Sequence, residues 1–438
     1  MKVIKPQPTE QTGKIVIRGA RLVDPGQKID DPKDLLIENG AVKAVLKPKE
    51  KVSGAKAIDL SGLIITPGLV DIHTHLREPG YEYKETIASG TYAAIAGGFT
   101  AIACMPNTDP VNDSPSVTEY ILKRAAEAGL AKVYPIGAIS KGSRGEELSE
   151  MASLAESGAV GFSDDGKPVM NADLMRRALE YAKALDRPII SHCEDLNLAA
   201  SGVMNESPVS TELGLPAVPA ASEEVMVGRD IILAHYTGSK LHLAHLSTKG
   251  SLALVRNAKE NGAKISCETC PHYFTLTEIA VKESGYDPNT KVNPPLRGED
   301  DRTALIAALK DGTIDAIASD HAPHNSAAKE VEFLIAASGI SGLETSLGLS
   351  LRLVRERKIS LYRLIELMST NPAKILGINA GSLKPGFPAD ITVIDLEKKW
   401  KVSARNFKSL SKNTPFDGWA LIGKAVMVFL AGKEIKLE

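Results

Sequence analysis

Cysteine is scarce in this chain: Cys104, Cys193, Cys267 and Cys270 are the four thiols in 438 residues. So few, so irregularly placed, they exclude a disulfide framework and fit a reducing cytoplasm. A surplus of one charge is also missing, because 52 Lys and Arg stand against 54 Asp and Glu, a formal net charge of -2. With no surplus and no dense Lys/Arg block, a nucleic-acid partner is not expected. No run of about 18 apolar residues occurs, so a spanning helix and a membrane partner are not expected either. The opening segment MKVIKPQPTEQTGK lacks the apolar core of a signal peptide. A soluble, unexported cytoplasmic protein follows as the expectation. Repeats of solenoid length and low-complexity tracts are absent as well.

What remains is ordinary globular composition, 43% hydrophobic and 24% charged. A chain this long outgrows one small core, so a large domain with a smaller companion is expected. From residue 14 to 66, KIVIRGARLVD, DLLIENGAVKAVL and AKAIDLSGLIIT are short β-type runs broken by Gly, Asp-Pro and Asn-Gly turn signals. Beyond Pro67 the pattern changes. Eight β-like runs follow: GLVDIHTHL, TAIACMPN, KVYPIGAIS, AVGFSDD, RPIISHCED, KLHLAHLS, AKISCETC and DAIASD. Stretches such as NADLMRRALEYAKALD lie between them, with apolar residues every three or four positions as on an amphipathic helix.

Eight βα units in about 250 residues predict an α/β fold, a (β/α)8 barrel. Two more helical segments follow, around 344–357 and 360–370, and β-type runs return in PADITVIDL and KAVMVFLAGKEIKL. The expected organisation is one half of a small β-sandwich at 1–66, the barrel at 67–375 and the other half of the sandwich at 376–438.

Barrel active sites sit where the strands end. The first strand ends in DIHTHLREPG, and side chains two apart on a strand share a face, so His73 and His75 project together. The other ends offer Asn107 in MPNT, Asp164 and Asp165 in SDDG, His192 in SHCED, His245 in HLAHLS, and Asp320 and His324 in SDHAPH. Four histidines and one or two aspartates converging from five strands would carry a heavy desolvation cost without a partner. A metal centre removes that cost. Imidazole and carboxylate suit Zn²⁺, and six such ligands with one bridging carboxylate suffice for two ions, which can hold a hydroxide and polarise a carbonyl. That chemistry is hydrolytic.

Together DIHTHLREPG, MPNT, FSDDG, SHCED, VNPPLR and SDHAPH resemble the amidohydrolase superfamily, specifically class I, long-chain dihydroorotases. The resemblance covers nearly the whole chain, split sandwich included. It implies two zinc ions per subunit: His73 and His75 on the more buried ion, His192 and His245 on the second, and a strand-four carboxylate between them. Asp165 matches the family's spacing, with Asp164 as the alternative. Asp320 would touch the buried ion and serve as the catalytic general base.

Many amidohydrolases bridge their ions with a carbamylated lysine, but Lys167 falls beyond the strand end, so an aspartate bridge fits better. The resemblance also implies that Arg77 clamps the substrate carboxylate, aided by Asn107 and His324. Asn293 and the backbone near Gly339 would hold the ring. Many relatives read Ala-Pro-Phe-Gly there; this chain has AASG, which puts the Gly339 contact in doubt.

The implied reaction is the reversible cyclisation of N-carbamoyl-L-aspartate to L-dihydroorotate in pyrimidine (UMP) biosynthesis. A homo-oligomer and association with aspartate transcarbamoylase are further family expectations. Two rivals stand beside this reading. An allantoinase or dihydropyrimidinase would have no use for Arg77 as a carboxylate clamp, and a non-catalytic scaffolding subunit would have no need of six ligands. His242, by strand parity, and His235, at a helix end, are left out of the ligand set, while His272 and His321 are read as structural. The lone CxxC at 267–270 is read as two buried thiols, and Cys193 points away from His192 by alternation.

Overall fold

The computed structural model describes residues 13–437. The signal-peptide expectation rests mostly on residues 1–12, which lie outside that range. Strands from both ends of the chain join in one six-stranded sheet, in the order Lys433–Lys436, Ala420–Leu430, Ile391–Lys401, Ile64–Pro67, Arg21–Asp24, Ile29–Pro32. A four-stranded sheet, in the order Ala41–Leu46, Asp34–Glu38, Lys14–Arg18, Ala55–Asp59, accompanies it. Alternating apolar residues explain the pairing, since Ile15, Ile17, Leu35 and Ile37 pack with Leu22, Ile65, Ile391, Val393 and Phe429 in one buried cluster. This is the split sandwich expected from the sequence.

The sandwich passes into the barrel through a single residue. Strand Ile64–Pro67 ends, Gly68 follows, and the first barrel strand is Leu69–Thr74, buried throughout. A Cβ at Gly68 would lie 1.9 Å from Thr100 Oγ1, so only glycine permits this approach to the second strand. The barrel continues in parallel through Phe99–Cys104, Lys132–Pro135, Ile189–Ser191, Leu241–Leu243, Ile265–Thr269 and Ala316–Ile317.

The fourth run, AVGFSDD, differs from its expectation: it pairs only around Phe162, which bridges Gly137 on one side and Ile189 on the other. Those bridges and the one between Thr74 and His321 close the barrel. The apolar faces of helices such as Ala172–Ala184 and Lys249–Glu260 pack onto the strands in the main core, through Leu174, Met175, Leu252 and Val255. Among the described residues no helix is long and apolar enough to cross a membrane.

Candidate metal centre

Parallel strands feeding one rim bring the chemistry together. His73 and His75 come from the end of the first strand, Asp165 from the loop after Phe162, His192 and His245 from just beyond Ser191 and Leu243, and Asp320 from beyond Ile317. All six are buried. Asp165 sits centrally: its carboxylate oxygens lie 3.3 Å from His73 Nε2, 3.5 Å from His75 Nε2, 3.5 Å from His192 Nδ1 and 3.3 Å from His245 Nε2. Asp320 Oδ1 lies 3.2 Å from His75 Nε2 and 3.7 Å from His73 Nε2. His192 Nδ1 and His245 Nε2 are 2.9 Å apart. His245, Asp320 and Arg77 adopt φ of 35°, 45° and 62°, which costs a non-glycine residue energy and concentrates backbone strain at this rim.

The neighbouring aspartate is turned elsewhere. Asp164 accepts hydrogen bonds from the N–H groups of Ile139 and Ser140, at 2.8 and 3.0 Å, and from the Ser140 hydroxyl. It is a loop carboxylate, though a buried one rather than outward-facing. Lys167 is exposed.

Three carboxylates without a sequence-assigned role support the cluster. Glu268 is fully buried, with Oε1 2.7 Å from His73 Nδ1 and Oε2 3.2 Å from His242 Nε2. A carboxylate inside the apolar run AKISCETC was the available signal, because burying it demands partners. Asp71 accepts from the N–H of His73 at 3.1 Å and from Ser319 N–H, and burial pushes its carboxyl up to about 7. Glu194 Oε2 stands 3.2 Å from both His192 Nε2 and Asn293 Nδ2, tying the two together.

Of the other histidines, His321 is held by Glu85 at 3.2 Å and by the Gly342 N–H. His272 is buried against the Tyr273 ring, its Nε2 has no hydrogen-bond partner, and burial lowers its pKa to about 4. Cys193 is buried against Ser191, and Cys267 and Cys270 are buried free thiols.

Beside the cluster lies the group assigned to substrate. Asn107 Oδ1 is 2.9 Å from His75 Nδ1. Arg77 is buried; its Nε donates to the Pro323 carbonyl at 3.3 Å, and a terminal nitrogen lies 3.3 Å from His324 Nε2. Burial lowers the guanidinium only to about 10, so it stays charged at neutral pH. No carboxylate forms an ion pair with it among the described residues. Gly339, at φ 128°, spends its N–H on the Lys291 carbonyl, and its own carbonyl accepts from Asn413 Nδ2. A cavity of about 800 Å³ opens on the His324 side, lined also by Tyr83, Lys329 and Asn413, but by none of the six clustered residues.

The donor set fits metal ions. His73 Nε2 and His245 Nδ1 are buried without hydrogen-bond partners. Ligand atoms of His73, His75 and Asp320 lie within 4.8 Å of one another, as do those of His73, Asp165 and His245. Nitrogen and oxygen donors gathered this closely suit a divalent ion such as zinc.

A dihydro-orotase-like family model matches residues 62–251. The chain is 58% identical over 421 residues to the dihydroorotase of Geobacter metallireducens, covering 96% of this chain and 99% of that one. To the dihydroorotase of Syntrophus aciditrophicus it is 56% identical, covering 97% and 100%. The chain belongs to the dihydroorotase family. Its motifs and its fold therefore point the same way.

Among solved structures it superimposes on the L-hydantoinase (dihydropyrimidinase) from Arthrobacter aurescens with a TM-score of 0.87 at 26% identity, covering 97% of this chain and 96% of that one. Dihydropyrimidinase from Brevibacillus agri shares the fold, with a TM-score of 0.82 at 24% identity over 97% and 95% of the two chains. The family thus shares its barrel and sheet domain with hydantoinases.

Proposed function

We propose that this chain is a dihydroorotase, which interconverts N-carbamoyl-L-aspartate and L-dihydroorotate in pyrimidine biosynthesis. The observation that carries the choice among cyclic-amide hydrolases is the buried Arg77 guanidinium, charged and without a carboxylate partner beside the histidine cluster. A buried cation of that kind is costly unless an anion completes it. The ring carboxylate of dihydroorotate does so, whereas the dihydropyrimidine ring and allantoin bring no carboxylate.

His73, His75, Asp165, His192, His245 and Asp320 would hold two zinc ions per subunit, which supply Lewis-acid chemistry by polarising a carbonyl and acidifying water. Arg77 binds the substrate carboxylate, with His324 and Asn107 orienting it and Asn293 and Gly339 along the ring. In ring opening, the Asp320 carboxylate takes a proton from the attacking water and delivers it to the departing ring nitrogen. The reverse transfer serves cyclisation. Its place 3.2 Å from His75 Nε2 favours the ionised form: burial raises its pKa, but the hydrogen bond and the neighbouring histidine charges outweigh burial and hold it below the usual range. A cytoplasmic homo-oligomer that associates with aspartate transcarbamoylase completes the reading.

The test combines metal analysis of purified protein with ring-opening assays on dihydroorotate, dihydrouracil and allantoin. The expected result is zinc near two per chain and turnover of dihydroorotate alone. Turnover of allantoin or dihydrouracil without dihydroorotate would overturn the assignment.

A further inference from the structure

Helix Ala221–Thr237 turns an apolar surface to the solvent. Its inward face is ordinary, with Met226, Val227 and Ala234 buried in the main core. Its outward face is not. The exposed positions are Ala221, Val225, Ile232, His235 and Tyr236, without a Lys, Arg, Asp or Glu among them. Val225, Ile232 and Tyr236 are 52%, 68% and 76% exposed. At 3.6 residues per turn, positions 221, 225, 228, 232 and 236 fall within a sector of about 80°, so they form one stripe with Gly228 at its middle. Leu254 of the neighbouring helix Lys249–Glu260 continues it, since a Cβ at Gly228 would lie 3.8 Å from Leu254 Cδ1.

Single exposed apolar residues need no explanation, but a contiguous stripe with charge only at its borders has the composition of an interface core. On one border the charges are already paired. Helix Ala172–Ala184 sets Arg176 against Asp173 and Glu180, and Arg177 against Asp173, at 2.7 to 2.9 Å, while Arg229 lies 2.7 Å from Asp230. The other border differs. Glu224 leans over the first turn of helix Lys249–Glu260, where a Cβ at Gly250 would collide with its carboxylate. His235 follows about three turns further along the same edge. Neither forms an ion pair among the described residues.

We propose that this stripe is a dimer interface, in which the helix packs antiparallel against its copy in a second molecule of this chain. The stripe complements itself in that sense alone. A two-fold axis crossing the helix between Gly228 and Arg229 sets Val225 against the partner's Ile232, and Ala221 against the partner's Tyr236, small opposite large. Gly228 lets the two backbones approach at the crossing. The same axis keeps each border on its own side, so Glu224 meets the partner's His235. Parallel packing would stack Tyr236 on Tyr236 and Glu224 on Glu224 instead. The three outer helices lie side by side; at about 10 Å spacing and about 20 Å long they present on the order of 600 Å², against the roughly 500 Å² per partner that a specific interface needs. This gives the proposed homo-oligomer its surface, and it rests on the helix face rather than on the assigned activity.

Sedimentation velocity across the micromolar range tests it. The unaltered protein is expected to be a dimer, and Ile232→Glu to raise the dimer Kd at least about 30-fold with metal content and circular dichroism unchanged. Glu224→Lys should weaken the dimer, and adding His235→Glu should restore it. Cysteine pairing reads the orientation, because the four native thiols are buried. After subunit exchange and mild oxidation, Val225→Cys mixed with Ile232→Cys should give a disulfide-linked heterodimer, and neither variant should cross-link with itself. A monomeric unaltered protein, a dimer indifferent to Ile232→Glu, failure of the double charge swap to restore association, or self-cross-linking of either cysteine variant overturns the proposal.

Discussion

Glu268 Oε1 lies 2.7 Å from His73 Nδ1, while His73 Nε2 faces Asp165 Oδ1 at 3.3 Å. One ring nitrogen is thus committed to a buried carboxylate and the other is turned toward the cluster, an arrangement that fixes tautomer and ring orientation for a metal ligand. The same glutamate reaches His242 with its second oxygen. Glu268→Gln should therefore lower metal affinity about 10- to 100-fold while keeping the fold. Metal content after dialysis against a graded chelator series, with circular dichroism as the control, measures this. Unchanged retention would leave Glu268 with a packing role only.

The substrate role proposed for Arg77 separates specificity from metal binding. It is buried among the Pro323 carbonyl, His324 and the coulombic field of Asp320 and Asp165. Arg77→Lys keeps the charge but loses the planar fork, so it should lose roughly 1.5–3 kcal/mol of substrate interaction, about 10- to 150-fold in kcat/KM for dihydroorotate. Metal content should stay at the level of the unaltered protein. Loss of metal in this variant would contradict a substrate role and place Arg77 in support of the cluster.

The legible part of this molecule is the part governed by simple periodicity. Strand alternation suffices to put His73 and His75 on one face, and the period of 3.6 in NADLMRRALEYAKALD gives helix Ala172–Ala184. The fourth barrel strand was harder, because AVGFSDD keeps its apolar residues but pairs only around Phe162. Its two aspartates show where pattern stops and geometry begins: one carboxylate turns to the Ser140 loop and its neighbour to four histidines, a choice set by backbone direction at the strand end. The roles of Glu268 and Asn413 are hidden for a different reason: the sequence shows a carboxylate in an apolar run at the one and nothing unusual at the other, and names a partner for neither. Their partners, His73 and His324, lie 195 and 89 residues away, and no local pattern marks so long a hydrogen bond.

Asn413 is the clearest case of support from a distance. Its Oδ1 accepts from His324 N–H and the Ser341 hydroxyl, both at 3.0 Å, and its Nδ2 donates to the Gly339 carbonyl at 2.9 Å. One amide from the C-terminal segment thus fastens both loops assigned to substrate. Asn413→Ala leaves buried donors and an acceptor unmatched, at a cost of about 1–3 kcal/mol. The expected outcome is a raised KM for dihydroorotate with kcat and metal content less affected, together with a lower Tm. An unchanged KM alongside the lower Tm would make Asn413 purely structural.

A pH prediction follows from Glu344, half-buried on helix Leu343–Arg355 beneath the same segment. Burial pushes its carboxyl up from 4.5 to about 7, against the hydrogen bonds from Ser409 and Lys408. The folded state therefore holds the proton more tightly than the unfolded chain. This contribution to stability is fully present below pH 4.5 and is lost as the pH rises through 7, to the extent of up to about 3 kcal/mol. Glu344→Gln mimics the protonated acid and can still accept from both N–H groups. Its stability should exceed that of the unaltered protein above pH 7, approach it near pH 5, and show a flatter slope between. Denaturant titrations of both proteins across pH 5–8 give the comparison, and parallel curves would mean that Glu344 does not titrate differently on folding.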